Sequence, residues 1–435
     1  MTRGPAGSTA GSATSGPGHA GRPVRSWAPA TLAIALVSAT LGAVYVGLVP
    51  RGLPYDEPSH WLNVMHIAED WTLPRLGQPD VTYQAQQGPL AYALGAVVLA
   101  VTRWIAGDLA GFYAVRTLGL AELLALGAVT ASLVTRALPR ARWAFPVAFG
   151  FVTLNPMMLA MSTSVQNDTL SLLLAALALH VGLVPAAARN PGRAAVAGAL
   201  AGLAILAKVT AFPVAVVLLA VWAWRREWRA VAASVVALAV VTGWWFLRNL
   251  DLYGDLTGEK AIEEAGYPFD PVSAAPIPLA RNVITYLWLP TEYYRNLIVS
   301  PTALDALAVL LTVAGLAGGV LALARLRTVR DWAAESRLLM GAVLATAAIA
   351  FVAYVYTTTQ VRVVALRFAY VGWTGWALVY VAAFGLLAGR RLRGAALAAG
   401  AVVLLALSGW VLISVAQDAP DVSPDWPGVS SSASR

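Results

Sequence analysis

Two adjacent carboxylates, Asp56 and Glu57, follow the first long apolar segment of the chain, in the sequence PYDEPSH at 54–60. The proline after them suits the first turn of a helix, and the helix dipole favours ionised carboxylates at that end. An ionised carboxylate can take a proton from an acceptor hydroxyl, which is the task of a general base. The alternative is that these side chains only cap the helix. The pattern therefore predicts either a catalytic base or a helix cap in the first polar loop.

His60 lies about one helical turn after the carboxylate pair. It could contact a phosphate or join a metal site, although an isolated histidine at a membrane interface is more often a hydrogen-bonded polar side chain. The chain contains no cysteine, which excludes disulfides, thiolate chemistry and cysteine-ligated metals. We therefore expect no cofactor, with a divalent metal ion as the open alternative.

The elements that must position these residues are membrane helices. Of the 435 residues, 59% are hydrophobic and 12% charged, and the mean hydropathy is +0.68. Many apolar runs reach the ~20 residues that cross a bilayer as a helix, which predicts an all-α polytopic integral membrane protein. The net charge of +8 arises from short arginine clusters between apolar runs, the pattern that sets membrane orientation. A nucleic-acid partner is therefore not expected.

One topology places every arginine cluster in the cytoplasm, where short cationic loops are retained. It predicts eleven helices in the cytoplasmic (plasma) membrane, with the N-terminus in the cytoplasm and the C-terminus outside. The predicted spans are about 28–49, 113–135, 143–163, 169–188, 194–207, 209–224, 230–247, 303–324, 338–357, 368–388 and 395–415.

The segment 88–105 is apolar enough to span a membrane, but a span here would move the arginine cluster at 136–142 to the outside. We therefore predict an amphipathic or re-entrant helix at the outer interface. The outer loops are then about 50–112 and 249–302, and they contain most of the acidic residues. A disordered cytoplasmic tail, a transmembrane domain and a disordered outer tail are predicted at 1–26, 27–416 and 417–435.

Two ionisable residues are predicted within the membrane. Lys208 lies in the turn of a helical hairpin at 194–224 whose limbs of about fifteen residues are shorter than a ~30 Å hydrocarbon core. A lysine at this depth is costly unless it meets an anion or a water-filled cavity, and the alternative is that it snorkels to the interface. Glu122 lies inside the second span and is expected to face protein or a cavity rather than lipid.

Several short motifs occur in a fixed order along the chain. They are PYDEPSHW at 54–61, YQAQQGPLAY at 83–92, Arg116, NP at 155–156, SVQNDTL at 164–170, GLAILAKVT at 202–210 and RNLDLYGD at 248–255. In this order they resemble the bacterial GT-C glycosyltransferases, which include glycosyltransferase family 39, the protein O-mannosyltransferases, the aminoarabinose lipid A transferases and related actinobacterial proteins. The resemblance covers roughly residues 28–255, more than half of the chain.

The resemblance implies a GT-C type helical bundle that transfers a hexosyl or pentosyl group from a polyprenyl-phosphate donor. The acceptor would be an envelope glycan, lipid or protein on the outer face of the cytoplasmic membrane. Asp56 would be the base, Glu57 would support it, and Asp168 would hold or orient donor or acceptor. Lys208 and Arg248 would be candidates to bind the lipid phosphate.

The turn 357–367 supplies two further candidates for phosphate binding, Arg362 and Arg367, with ordinary headgroup contact as the alternative. The remaining candidate substrate-binding residues are His60, Arg116 and Tyr253.

Two other classes of function remain open. A transporter or lipid flippase would also be polytopic, but it would show paired repeats and ionisable residues near the membrane midplane. This chain has most of its acids in the predicted outer loops and no evident duplication. A non-catalytic protein of envelope assembly is the third class, and it would tolerate the substitution Asp56→Asn.

Overall fold

The structure is a computed structural model that describes residues 27–54, 56–78, 81–264, 276–291, 293–294, 300–326, 334–361, 365–388 and 391–418. Within these ranges the chain forms α-helices joined by short 3-10 turns and loops, without β-strands, which confirms the all-α prediction. The tail predicted at 1–26, and the tail at 417–435 apart from its first two residues, lie outside the described residues.

The first eight α-helices are α1 (Ala28–Leu48), α2 (Glu57–Asp70), α3 (Leu90–Ala106), α4 (Asp108–Ala137), α5 (Ala144–Thr153), α6 (Pro156–Ser162), α7 (Asp168–Gly182) and α8 (Pro185–Arg189). They are followed by α9 (Pro191–Ala207), α10 (Phe212–Trp224), α11 (Trp228–Tyr253), α12 (Glu259–Glu264), α13 (Pro276–Trp288), α14 (Thr302–Leu326), α15 (Ala334–Val361), α16 (Trp373–Leu387) and α17 (Arg393–Asp418). Short 3-10 turns occupy Tyr83–Gln86, Val209–Ala211 and Leu366–Gly372.

Seven segments of the described chain are long and apolar enough to cross a membrane, and the bent pair α5 and α6, with an angle of 57° between them, makes an eighth. The chain is therefore a multi-pass membrane protein. Every predicted span coincides with a helix or a helix pair. However, α7, α9 and α10 have only 15, 17 and 13 residues, which is short for a ~30 Å core. The number of eleven crossings therefore stays a prediction.

Asparagine followed by proline starts two of the short helices. Asn155 accepts a hydrogen bond from the backbone N–H of Met158 at 3.1 Å, and Pro156 opens α6 at the bend after α5. Asn190 caps α9 in the same way, with Pro191 at its first position. This arrangement uses a side chain to satisfy backbone donors, and proline is tolerated because its position has no helical partner.

Small residues on α9 allow it to pack closely between α7 and α11. A Cβ atom at Gly198 would lie 2.4 Å from the backbone oxygen of Ser234 in α11, so only glycine permits this approach. Close backbone contact of this kind is typical of helix packing in membranes. The packing fixes α9, and with it Lys208 directly after its last residue.

The first polar loop is folded back into the bundle. Helix α2 packs against α3, and Trp61 meets Phe112 of α4 edge to face with 5.0 Å between ring centroids. A Cβ atom at Gly88 would lie 1.9 Å from the backbone oxygen of Leu206, so the loop before α3 can touch the end of α9 only with glycine there. The loop thereby reaches the segment that carries Lys208.

Candidate active site

Asp56 occupies the N-cap position of α2, but its side chain makes no capping hydrogen bond. Its Oδ2 accepts a hydrogen bond from Nη1 of Arg367 at 2.5 Å, and its Oδ1 accepts one from Nε2 of Gln166 at 3.2 Å. The residue is fully buried, with 0% of its surface exposed. These contacts exclude the alternative that Asp56 is only a helix cap.

Asp168 lies close to the same arginine and also pairs with a lysine. Its Oδ1 accepts a hydrogen bond from Nζ of Lys208 at 2.7 Å, and its Oδ2 lies 3.8 Å from Nη1 of Arg367. Lys208 therefore meets an anion, which is one of the two conditions that the sequence set for a lysine at this depth. Asp56, Arg367, Asp168 and Lys208 form one buried cluster in which two negative and two positive side chains balance.

Four separate elements converge to build this cluster. Asp56 precedes the first residue of α2, and Asp168 is the first residue of α7, where the helix dipole favours a carboxylate. Lys208 follows α9 with an extended backbone, at φ −155° and ψ 125°. Arg367 lies in the 3-10 turn that leads into α16. The cluster therefore depends on contacts between parts of the chain that are far apart in sequence.

The charges around Asp56 control its protonation. Burial raises the pKa of the Asp56 carboxyl, but the positive charge of Arg367 and the neighbouring His60 lower it by more, so the pKa lies far below its usual value. Asp56 is consequently ionised in this arrangement. As long as Arg367 faces it, the carboxylate is stabilised and is a weak base.

Glu57 and Arg116 form a separate ion pair that is fully buried. Glu57 accepts hydrogen bonds from Nε and Nη2 of Arg116, from the backbone N–H of Gly52 and from that of Val165, at 2.6 to 2.9 Å. A carboxylate has about four acceptor positions, so those of Glu57 are taken. Glu57 thus supports the loop that carries Asp56, and it has no acceptor position left for a substrate proton.

The guanidinium group of Arg116 donates all of its hydrogen bonds to groups inside the protein. Besides Glu57, it donates to four backbone oxygens, which belong to Val46, Val49, Pro50 and Leu53. All of its N–H groups are thereby engaged, and its exposed fraction is 0%. These contacts do not support the predicted role of Arg116 in substrate binding. It instead ties the end of α1 to the start of α2.

His60 joins Asp56 to a polar network. Its Nε2 lies 3.6 Å from Oδ2 of Asp56, and its Nδ1 is 2.8 Å from the hydroxyl oxygen of Tyr92. Asn167 contacts the same hydroxyl at 3.4 Å and donates to the side-chain oxygen of Gln87. Sequence reasoning did not select Tyr92, Gln87 or Asn167 as site residues, although all three belong to the motifs quoted above.

Several polar atoms beside Asp56 are buried without a hydrogen-bond partner among the described residues. They are Nε2 of His60, Oε1 of Gln166, Oδ1 of Asn167 and Oδ2 of Asp168. Buried polar groups are normally paired, so such a concentration is typical of a place where a polar ligand binds.

The remaining predicted residues are not part of the Asp56 cluster as the structure describes it. Arg248 donates to the backbone oxygen of Pro74 at 2.8 Å and stacks over Trp245, and the hydroxyl of Tyr253 accepts from the backbone N–H of Leu76 at 3.2 Å. These contacts attach the end of α11 to the first polar loop and do not join the two residues to the Asp56 cluster. Arg362 lies outside the described residues.

Within the described part of the chain, no three His, Asp or Glu side chains are placed to hold a metal ion. The cations next to Asp56 and Asp168 are those of Arg367 and Lys208. That the protein works without a metal cofactor remains a prediction.

The bundle is similar in fold to solved membrane glycosyltransferases of the GT-C class. The apo oligosaccharyltransferase of Archaeoglobus fulgidus aligns with a TM-score of 0.54 and 16% identity, over 89% of this chain and 56% of that one. AglB from the same organism, in complex with an inhibitory peptide and a dolichol-phosphate, aligns with a TM-score of 0.50 and 16% identity, over 89% and 55%. The chain thus spans about half the length of these proteins.

ArnT from Cupriavidus metallidurans, bound to undecaprenyl phosphate, aligns with a TM-score of 0.46 and 16% identity, over 90% of this chain and 76% of that one. No protein-family model and no curated protein sequence matches the chain. The similarity to the Archaeoglobus fulgidus oligosaccharyltransferase shows that the chain has the GT-C fold, as the order of its motifs predicted.

Proposed function

We propose that this protein transfers a glycosyl group from a polyprenyl-phosphate sugar to a cell-envelope acceptor, on the outer face of the cytoplasmic membrane. The observation that carries the proposal is the buried cluster of Asp56, Arg367, Asp168 and Lys208 in a bundle of the GT-C fold. Such a cluster combines a carboxylate for an incoming hydroxyl with two cations for a departing phosphate. AglB was solved in complex with a dolichol-phosphate, which is a lipid phosphate of the kind that the proposed reaction releases.

In the proposed reaction, the acceptor hydroxyl oxygen attacks the anomeric carbon of the sugar while its proton passes to Asp56. The bond between that carbon and the phosphate oxygen breaks, and the polyprenyl phosphate leaves with the bonding electron pair. Arg367 and Lys208 stabilise the negative charge that develops on it. Asp168 holds Lys208 in place through their 2.7 Å contact.

Donor binding must rearrange the cluster, because both cations already face carboxylates. A phosphate that takes over the guanidinium of Arg367 removes from Asp56 its nearest positive charge. The pKa of the Asp56 carboxyl then rises from far below its usual range, and the carboxylate becomes a better proton acceptor. The base is therefore activated when the donor is in place.

The test uses purified protein in lipid nanodiscs with a panel of radiolabelled polyprenyl-phosphate hexoses and pentoses and extracted envelope lipids and glycans. We expect the wild type to transfer label from one of these donors and Asp56→Asn to abolish that transfer. Asp251→Asn is the matched control, because it changes an exposed carboxylate at the end of α11. A wild type that transfers no label from any donor, or an Asp56→Asn protein that equals it, contradicts the proposal.

The outer location is tested separately with single cysteines, which the cysteine-free chain allows. Arg140→Cys is expected to react with a membrane-impermeant maleimide only after cells are permeabilised, whereas Glu263→Cys reacts in intact cells. The opposite labelling pattern would place the site on the cytoplasmic face.

A further inference from the structure

The 3-10 turn Leu366–Gly372, which carries Arg367, has no capping side chain of its own. The residue before it, Ala365, has an extended backbone, at φ −143° and ψ 104°. The first N–H groups of a helical turn have no partner inside the turn and need acceptors from elsewhere. The first of them belongs to Leu366, which is buried, so this donor needs an acceptor within the protein.

The acceptor is the side chain of Asn282 in α13. Its Oδ1 accepts a hydrogen bond from the backbone N–H of Leu366 at 3.0 Å, and a second from the hydroxyl of Tyr354 in α15, also at 3.0 Å. Asparagine is a favoured capping residue, but a cap normally stands directly before the helical turn it serves. Here the cap lies 84 residues earlier in the chain and belongs to another helix.

The same helix also holds the other end of the turn. The hydroxyl of Tyr370 donates to the backbone oxygen of Tyr286. Positions 282 and 286 are four residues apart, which places them on the same face of α13, and the two positions that they hold, 366 and 370, are four apart as well. Helix α13 therefore fixes the turn on both sides of Arg367.

Helix α13 is itself attached to the bundle near its C-terminal end. The backbone oxygen of Leu287 accepts from Nδ2 of Asn155, at the bend between α5 and α6, at 2.7 Å. Nε1 of Trp288 donates to the hydroxyl of Thr312 in α14 at 2.9 Å. The support of the turn is thus part of the packed core.

Arg367 needs a fixed position, because both of its anionic neighbours face one nitrogen. Its Nη1 lies 2.5 Å from Oδ2 of Asp56 and 3.8 Å from Oδ2 of Asp168. A displacement of ~1 Å would lengthen the shorter contact beyond the ordinary hydrogen-bond range. In a reaction that Arg367 assists, misplacement by ~1 Å can reduce the rate about 100-fold.

We propose that Asn282 is a positioning residue of the site. By accepting the N–H of Leu366 it caps the turn from α13 and holds Arg367 against Asp56, and during transfer it holds Arg367 at the departing phosphate. Its role in the resting protein rests on these contacts alone, and its role during transfer rests on the proposed function. Asn282 itself does not contact the substrate in this scheme.

The first test needs no turnover and compares unfolding temperatures at pH 6 and pH 3 in detergent. Burial raises the pKa of the Asp56 carboxyl and the charge of Arg367 lowers it by more, so the ionised carboxylate stabilises the fold above about pH 4 and less below it. If Asn282→Leu releases Arg367, this stabilisation is lost. The variant should then be destabilised more at pH 6 than at pH 3.

Thr312→Val is the matched control. It removes one buried hydrogen bond of α13, that of Trp288, which does not reach the turn. We expect Thr312→Val to lower the unfolding temperature by the same amount at both pH values, as a loss of packing alone does. Tyr370→Phe is a milder second variant that removes only the hydroxyl bound to Tyr286, and it should resemble Asn282→Leu in its pH response.

The comparison isolates Arg367 from the other groups around Asp56. The other charged and titratable groups that face Asp56, directly or across Arg367, are His60, Tyr83, Tyr92, Asp168, Lys208 and Tyr293. All of them are unchanged in these variants, so a different pH response reports on the position of Arg367. Equal destabilisation of Asn282→Leu at both pH values overturns the inference. If Asn282→Leu does not fold, the same result with Tyr370→Phe overturns it.

Turnover separates this inference from the proposed function. In single-turnover transfer, Asn282→Leu should be about 100-fold slower than Thr312→Val, because Arg367 is misplaced while Asp56 is intact. If the pH response is as expected but the wild type transfers no sugar, Asn282 positions Arg367 and the transferase proposal fails. If the wild type transfers sugar and Asn282→Leu reacts as fast as Thr312→Val, the role of Asn282 in transfer is wrong and the transferase proposal stands.

Discussion

Loss of the negative charge of Asp56 should reduce turnover more than stability, whereas loss of the charge of Glu57 should reduce stability more than turnover. Both are fully buried, and each faces an arginine. Asp56→Asn keeps the size of the side chain but removes its ability to accept a proton. If Asp56 is the general base, turnover should fall by about 10²–10⁴-fold. Glu57→Gln leaves Asp56 intact, so its main effect should be on folding.

The expected loss of stability follows from the partners of each side chain. In Glu57→Gln, the new amide group would point N–H bonds at a site filled by donors from Arg116, Gly52 and Val165. It would also leave the buried charge of Arg116 uncompensated, and breaking a buried pair in this way costs about 3–5 kcal/mol. We therefore expect Glu57→Gln to unfold at a clearly lower temperature than the wild type.

Asp56→Asn should be less damaging to stability. Its arginine partner, Arg367, keeps a second carboxylate nearby, since Asp168 lies 3.8 Å from the same nitrogen. The asparagine oxygen can also still accept a hydrogen bond. We expect a cost of about 1–3 kcal/mol, the range for a buried hydrogen-bonding group that loses a partner.

The measurement is thermal unfolding in detergent together with single-turnover transfer from the donor found active with the wild type. The expected pattern is a stable but inactive Asp56→Asn and an unstable Glu57→Gln whose folded fraction still reacts. A Glu57→Gln protein as stable as the wild type would refute the account of the Arg116 pair. An Asp56→Asn protein with more than about a tenth of wild-type turnover would refute the assignment of the base.

Three further outcomes follow from the same contacts. The pKa of Asp56 in the folded protein lies far below its value of about 3.9 in an unfolded chain. The contribution of its ionised carboxylate to stability is therefore fully present above about pH 4 and decreases as the pH falls below that. Asp56→Asn should consequently reduce the difference in unfolding temperature between pH 6 and pH 3. Lys208→Met should weaken binding of polyprenyl phosphate about 10- to 100-fold in a direct binding assay, because one charge-assisted hydrogen bond to the phosphate is lost. Gly88→Ala should lower the unfolding temperature, since the new Cβ would meet the backbone oxygen of Leu206 at 1.9 Å, whereas Gly243→Ala, with nothing within 4 Å of its Cβ, should not.

The helices could be predicted from the sequence because apolar length and arginine clusters are local signals. Each predicted span coincides with a helix or a helix pair, and 88–105 is a separate apolar helix, α3. The same signals did not predict the bend between α5 and α6, although the pair Asn155-Pro156 was visible within the predicted span. A helix start inside an apolar run has no effect on hydropathy, so only the cap and the proline could have indicated it.

The pairing of charges could not be predicted in the same way. Arg367 was a candidate for phosphate or headgroup contact, and nothing local to its turn indicates that it faces Asp56, which lies 311 residues earlier. Arg116 was predicted to bind substrate because it is one of the motifs that resemble the glycosyltransferases. Besides Glu57, its partners are backbone oxygens at the end of α1 and in the loop after it, and such contacts leave no pattern in the sequence that a motif could record.

The difference between Asp56 and Glu57 shows what the sequence leaves undetermined at this site. The two residues have the same charge and the same burial, and they sit one peptide apart at the start of one helix. Glu57 points toward α4 and accepts four hydrogen bonds, so it cannot take a substrate proton without breaking the loop that holds it. Asp56 points toward α7 and the turn before α16, where its main partner is a cation that a phosphate can attract away. Their opposite orientations, which only the packed bundle determines, make Glu57 a structural anchor and leave Asp56 as the proposed base, whose reactivity we expect to depend on the bound donor.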